Sequence, residues 1–145
     1  MKNMIGLDTS CVVALLCGWH ERHDDTVTAL RIIAPGRVVI CANVVLETFA
    51  VLTRLPAPYR LAPLQAEELL ESNFREARIV SVVGPDCRLA MTAAGRAASG
   101  GGKVYDAAIA QSAARAGAAT MLTWNVKDFV AVAPPELRVI EPAAE

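Results

Sequence analysis

The stretch GGKVYDAAIAQSAARAGAATMLTWNVKDF, residues 101–129, decides the fold class that the sequence predicts. It contains a glycine run, an alanine-rich helical pattern, the short apolar strand ATMLT and a polar segment with Asn125 and Asp128. Asp106 is an acid at the start of an otherwise apolar helix. The question is whether Asp106 serves the helix or the helix serves to hold Asp106.

Apolar runs alternate with helical patterns along the rest of the chain. Strands are predicted at 2–7, 37–41, 79–83 and 137–140, and helices at 9–16, 21–33, 43–55, 64–73 and 85–99. Asn43 is predicted to cap the third helix. Strands separated by helices indicate parallel pairing through crossover connections. The prediction is a single domain over residues 1–145, a three-layer α/β/α sandwich with a central, mainly parallel sheet of about five strands.

Composition excludes several classes of protein. The chain has 145 residues, with 14 basic and 15 acidic side chains and a net charge of -1, so it does not bind nucleic acid by bulk charge. No apolar run approaches the ~18 residues of a membrane span, and the amino terminus lacks the pattern of a signal peptide. We therefore expect a cytoplasmic protein without a membrane partner. The 4 cysteines form no CxxC pair, which favours buried free thiols over zinc or disulfides.

Four acids fall where a parallel sheet gathers its ligands, at the carboxyl ends of strands. Asp8 follows the first strand, and its simplest interpretation is a helix N-cap. Glu47 lies among apolar neighbours one turn into a helix, where a charge needs neutralisation. Asp106 starts a helix and Asp128 follows a strand, so helix-dipole and solvated-loop interpretations stay open. We expect no matching Lys or Arg alongside these acids, and oxygen-only ligands suit Mg²⁺ or Mn²⁺.

Competing motifs fit less well. GGGK at 100–103 lacks the Ser or Thr of a phosphate loop, because Val104 follows, and LDTSCV is not a dinucleotide-binding glycine motif. An aspartyl phosphatase needs a second acid where Ser10 stands, and a phosphoacceptor receiver domain needs adjacent acids where Thr9 follows Asp8.

The segment WHERHDD, residues 19–25, holds both histidines of the chain, His20 and His23. Its spacing is unspecific for a transition metal, and it is predicted to be the polar start of the second helix. Trp19 and Trp124 could stack on bases, but no basic patch is visible around either, so buried or interface positions are expected.

The four acidic motifs together resemble those of PIN-domain ribonucleases, in particular the VapC-type toxins of bacterial toxin–antitoxin pairs. The matching segments are LDTS with Asp8, LETFAVLTRLP with Glu47, GGKVYDAAIA with Asp106, and LTWNVKDF with Asn125 and Asp128. They occur in the same order and span nearly the whole chain. The resemblance implies an endoribonuclease that depends on Mg²⁺ or Mn²⁺, cuts RNA, forms a homodimer and is blocked by a cognate VapB-type antitoxin.

By position, the resemblance implies that Asp8, Glu47 and Asp106 bind metal and that Asp128 is a variable fourth catalytic acid. It implies that four polar residues orient the acids or the phosphate: Thr9, Ser10, Thr123 and Asn125. The alternative is a non-catalytic PIN-like module that binds RNA or protein without cutting. Four uncompensated acids favour the enzyme, and divalent-cation titration would separate the two.

Overall fold

The computed structural model describes residues 3–143 as alternating strands and helices. The strands are β1 (Met4–Leu7), β2 (Val38–Cys41), β3 (Arg78–Val80), β4 (Ala118–Leu122) and β5 (Arg138–Ile140). The helices are α1 (Thr9–Leu16), α2 (His23–Arg31), α3 (Ala42–Thr53), α4 (Pro63–Asn73), α5 (Gly84–Arg96), α6 (Lys103–Arg115) and α7 (Val126–Val130). A 3₁₀ turn at Pro35–Arg37 precedes β2. The predicted first strand began at Lys2, which lies outside the described residues.

All five strands pair in parallel, in the order β3-β2-β1-β4-β5. The predicted α/β sandwich with a central parallel sheet is confirmed. Because the strands are parallel, the carboxyl ends of β1 and β4 lie side by side at one edge of the sheet, where the register pairs Leu7 with Leu122. Asp8 and Thr123, the next residues in the chain, are therefore neighbours.

Helix α6 packs closely on the sheet because the facing side chains are small. Ala110 and Ala113 are buried in the main core with the strands, while Ala107 packs with Ala90 of α5. A Cβ on Gly6 of β1 would lie 3.3 Å from the Ala113 Cβ and 3.2 Å from the Met121 Cε, so a larger residue at position 6 would push α6 away. Gly101 has φ +65, a backbone conformation that glycine adopts readily, in the turn that leads into α6.

The main core combines the strands with apolar faces of α1, α3 and α6. Every residue of β2 is buried, as is typical of a strand covered on both faces. Cys11, Cys17 and Cys41 are buried free thiols, as predicted, whereas Cys87 is exposed on α5. No helix within residues 3–143 is both long enough and apolar enough to cross a bilayer.

Three local predictions were wrong. Asn43 does not cap α3: the helix already begins at Ala42, and its N-cap residue is Cys41 without a side-chain cap. The polar segment after β4 is not a loop but contains the short helix α7. The second helix begins at His23, two residues later than predicted, because residues 18–22 form turns before it. The first and the third concern the ends of helices, which depend on local contacts that a sequence pattern does not show.

Candidate active site

Asp8 lies at the junction of β1 and α1 and is the most buried of the four acids, with 3% exposure. It is the N-cap of α1, and its Oδ1 accepts the Cys11 backbone N–H at 3.0 Å. Its carboxylate also accepts the Ser10 hydroxyl at 2.7 Å and the Thr123 hydroxyl at 2.7 Å. The N-cap interpretation is correct but incomplete, because two of these donors are side chains that capping does not require.

Burial raises the pKa of Asp8 above its ordinary value, while hydrogen bonds from Thr123, Ser10 and the Cys11 amide act in the opposite direction. The net direction is upward, so the charged form is only partly compensated by its protein donors. A cation next to this carboxylate would relieve the remaining cost of burial.

The two hydroxyl groups that bind Asp8 also hold the turn between β4 and α7. Thr123 is fully buried, donates to Asp8 and accepts the Asn125 backbone N–H at 2.9 Å. Ser10 accepts the Trp124 backbone N–H at 3.0 Å while it donates to Asp8. These bonds join β1, α1 and β4 into one polar network, so Ser10, Thr123 and the Asn125 backbone do lie around the first acid.

The environment of Glu47 differs from the one that its sequence neighbours indicated. Its neighbours in sequence are apolar, but the side chain is exposed on α3, and the adjacent Leu46 is 70% exposed. Burial therefore does not require that a cation neutralise this charge. Glu47 Oε2 accepts the Thr9 hydroxyl at 2.9 Å, which brings α3 to the start of α1 and to the residue after Asp8.

Asp106 lies in the first turn of α6 and is half-buried. It does not cap the helix: the N-cap residue is Gly102 and no side chain caps. Burial, followed by the charge of Asp128, raises its pKa from 3.8 to about 6. The charges of Asp8 and Glu47 contribute to this rise, whereas that of Lys103 opposes it. The charges of all three other acids therefore act on Asp106.

Asp128 is exposed on α7 and forms an ion pair with Lys103 at the start of α6. The expected lack of a basic partner is therefore wrong for Asp128, and the alternative of a solvated loop charge does not hold, because Asp128 lies on a helix. Lys103 stands three residues before Asp106 and therefore on the same face of α6. This spacing could have shown from the sequence that a basic side chain lies near the acids.

The donor set is chemically suited to a hard divalent cation, because it consists of carboxylates that repel one another. Within residues 3–143, no three Asp, Glu, His or Cys side chains are arranged to share one ion. The contacts explain this: Ser10 and Thr123 hold Asp8, Thr9 holds Glu47 and Lys103 holds Asp128. A cation would have to replace some of these partners.

The WHERHDD segment contributes no shared metal ligand. His20 Nδ1 accepts the Arg22 backbone N–H at 3.0 Å, while the His23 ring bonds the Ala14 carbonyl at 2.9 Å. Arg22, which the sequence reasoning had passed over, lies with its guanidinium carbon 4.5 Å from the ring centroid of Trp124. Trp124 therefore does have a basic neighbour.

These features define an α/β domain with an acidic site at the carboxyl ends of its central strands. The PIN domain family model matches residues 5–133, and the chain belongs to that family. The predicted resemblance to VapC-type ribonucleases is confirmed as well. Ribonuclease VapC40 of Mycobacterium tuberculosis is 36% identical over 119 residues, covering 79% of this chain and 82% of that protein.

A second relative, ribonuclease VapC27 of the same organism, is 35% identical over 114 residues, covering 79% of this chain and 80% of that protein. Solved structures share the fold. FitAcB from Neisseria gonorrhoeae superposes with a TM-score of 0.75 at 21% identity, covering 96% of this chain and 98% of that chain. VapC20 from M. tuberculosis, a sarcin-ricin loop cleaving toxin, gives 0.69 at 23% identity, covering 92% and 98%.

Proposed function

We propose that this protein is an endoribonuclease that depends on Mg²⁺ or Mn²⁺ and acts as the toxin of a toxin–antitoxin pair. The observation that supports this most directly is the grouping of acids around Asp106: burial raises the pKa of this carboxyl, and the charges of Asp128, Asp8 and Glu47 act in the same direction. These acids come from separate parts of the chain, and a fold gains nothing from bringing like charges together. The two curated relatives named above are both ribonucleases, which supports the same activity.

In this proposal Asp8, Glu47 and Asp106 hold the cation, and Asp128 assists. A bound Mg²⁺ or Mn²⁺ would activate the attacking water and stabilise the leaving oxygen of the phosphodiester. The buried carboxylate of Asp8 is kept in one orientation by the Ser10 and Thr123 hydroxyls, so it would be pre-organised for its ligand.

Other residues of the site would position groups. Thr9, through its hydrogen bond, would orient Glu47. Asn125, exposed at the N-cap of α7, would offer its side-chain amide to a phosphate oxygen. Lys103, through its ion pair, would partly neutralise Asp128 until cation or RNA binds.

We further propose a homodimer and a cognate VapB-type antitoxin as partners. Solved structures with this fold include a DNA-bound VapBC from Salmonella typhimurium and a toxin–antitoxin complex from Klebsiella pneumoniae. A neighbouring gene for a short DNA-binding protein with a disordered tail would support the antitoxin, and light scattering would measure the oligomer. The single-domain organisation and the cytoplasmic location remain predictions from the sequence.

The test of the activity is cleavage of a mixed RNA panel in Mg²⁺, Mn²⁺ or EDTA. Wild type should cut with either cation and not in EDTA, and Asp106→Asn should be inactive. Asp24→Asn is a matched control, because Asp24 is also an acid in the first turn of a helix but is exposed and does not affect the pKa of Asp106. Equal cleavage in all conditions would sink the metal mechanism.

The second candidate is a PIN-like module that binds RNA or protein without cutting. It is favoured by the protein contacts that hold the acids apart from a shared ion position within the described residues. Calorimetric titration separates the two functions: an enzyme should bind Mg²⁺ or Mn²⁺, at least with an RNA analogue present, whereas a module should show no heat of divalent binding.

A further inference from the structure

A pocket of about 500 Å³ opens next to the hydroxyl partners of Asp8 and Glu47 and is not explained by the metal site. Its volume is within the roughly 300–1,000 Å³ typical of small-molecule pockets. It is lined by Thr9, Ser10, Val13, His20, Glu21, Arg22, Val51, Trp124 and Asn125. Thr9 and Ser10 are shared with the acidic site, because they bind Glu47 and Asp8. A single side chain thus separates the pocket from Asp8, and another separates it from Glu47.

Trp124 forms the aromatic wall of this pocket, and hydrogen bonds hold both its backbone and its indole ring in place. Its backbone N–H donates to Ser10, and its indole Nε1–H donates at 3.0 Å to the hydroxyl of Thr26, a fully buried residue. Arg22 is exposed and covers the indole with its guanidinium group. A rigid stacking surface loses little conformational entropy when a planar ligand binds.

The pocket also presents polar groups at its rim. The Arg22 backbone N–H donates to His20 Nδ1, so the neutral His20 ring carries its proton on Nε2 and can donate from there. The exposed amide of Asn125 can both donate and accept. A stacking plane surrounded by directional hydrogen-bonding groups suits a heteroaromatic ring.

We propose that this pocket, here called the Arg22–Trp124 pocket, receives one unstacked base of the RNA next to the phosphate that is cut. The inference rests on the proposed ribonuclease function and adds the residues that select the substrate. Single-stranded RNA is recognised by bases that stack on aromatic rings or arginine planes while their edges form hydrogen bonds. Arg22 supplies a positive charge where RNA must approach four acids. A base bound in the pocket would place its phosphate next to Ser10 and Thr9. These are the residues whose hydroxyl groups bind Asp8 and Glu47.

The kinetic test compares Arg22→Ala, Trp124→Leu and the control Arg88→Ala on short RNAs and on a randomised RNA pool. Arg88 is exposed on α5 and does not line the pocket. Loss of base stacking should raise KM about 5- to 10-fold for Arg22→Ala, with kcat within about twofold, and should flatten sequence preference at one position. Arg22 is a surface side chain, so this variant should fold even if Trp124→Leu does not.

A binding test avoids dependence on cleavage. Trp19 and Trp124 are the 2 tryptophans of the chain, so Trp19→Phe leaves Trp124 as the only one. In the inactive Trp19→Phe/Asp106→Asn protein, oligo-A, oligo-C, oligo-G and oligo-U RNAs should quench Trp124 fluorescence to different extents. Adding Arg22→Ala should raise the midpoint of the quenching curve about 5- to 10-fold.

The outcomes separate this inference from the function on which it rests. If wild type cuts RNA but Arg22→Ala and Arg88→Ala share its KM and sequence preference, the inference is wrong and the ribonuclease stands. If wild type cuts no RNA, the proposed function fails, and the quenching curves alone decide: quenching that depends on Arg22 supports a base pocket, and no quenching overturns it. Quenching by a purified protein partner but not by RNA would also overturn it.

Discussion

Replacing Asp106 by asparagine is expected to stabilise the folded protein when no divalent cation is present. Burial and the neighbouring acids raise the pKa of Asp106 from 3.8 to about 6, so its ionised form is disfavoured in the folded state. A rise of about two pKa units corresponds to about 3 kcal/mol as an upper bound, at about 1.4 kcal/mol per unit. Because the side chain is half-buried, solvent screening should reduce the gain to about 1–2 kcal/mol.

The pH dependence follows from the direction of this pKa change. Between the unfolded pKa and the folded pKa, the native state binds more protons than the unfolded chain, so wild-type stability falls as pH rises. The fall spans pH 3.8 to about 6 and is complete above that range. Asparagine does not titrate, so the advantage of Asp106→Asn should be absent below pH 4 and full at pH 8.

The assay is urea unfolding followed by circular dichroism in EDTA at pH 4 and pH 8, with Asp24→Asn as the control. In millimolar Mg²⁺ or Mn²⁺, wild type should regain stability because the cation binds only the folded state, and the variant should not. Lys103→Met should enlarge the destabilisation that ionised Asp106 causes, since the Lys103 charge lowers the pKa of Asp106. A variant no more stable than wild type at pH 8, or a gain unchanged at pH 4, would refute this reasoning.

Two further predictions concern buried polar contacts. Thr123→Val should cost about 1–3 kcal/mol of unfolding free energy, because it removes a donor to Asp8 and leaves a backbone N–H unpaired, whereas Thr92→Val on the exposed face of α5 should not. Equal urea midpoints for the two valine variants would contradict it. Arg115→Met should cost about 1–3 kcal/mol, because it removes the charged partner of the buried carboxylate of Asp86, which the exposed Arg115 binds through Nη2 at 2.9 Å. Thermal unfolding should show part of this loss recovered by Asp86→Asn in the same chain; no loss in Arg115→Met would show that the pair is not stabilising.

The ion pair between the buried Asp86 and the exposed Arg115 shows a limit of reasoning from motifs. Asp86 accepts the Val83 backbone N–H at 3.0 Å in the first turn of α5, and Arg115 reaches it from the last turn of α6. Burial would raise the pKa of Asp86, but the Arg115 hydrogen bond, the Val83 amide and the Arg115 charge hold it below its ordinary value. This acid has a structural partner, unlike Asp106, and nothing in the two local sequences distinguishes them.

The sequence by itself determined the sheet, its parallel pairing and the order of the elements. Apolar runs separated by helical patterns admit few other arrangements, and crossover connections require parallel strands. It also predicted that the acids lie near one another at one edge of such a sheet, and the charges of Asp8, Glu47 and Asp128 do act on Asp106. The alanine-rich pattern of residues 107–113 indicated the close contact between α6 and the sheet that Gly6 permits.

Only the tertiary structure decided how each charge is balanced. Whether a carboxylate is buried or exposed depends on which way its helix faces, and apolar neighbours in sequence did not bury Glu47. The pairs Lys103–Asp128 and Arg22–Trp124 join residues that are 25 and 102 positions apart, a distance over which no periodic pattern extends. Helix α6 positions Asp106 without using it as a cap, because Gly102 and the backbone form the start of the helix. Helix α6 therefore holds Asp106 in place, and burial and the neighbouring charges determine how readily its carboxyl group ionises.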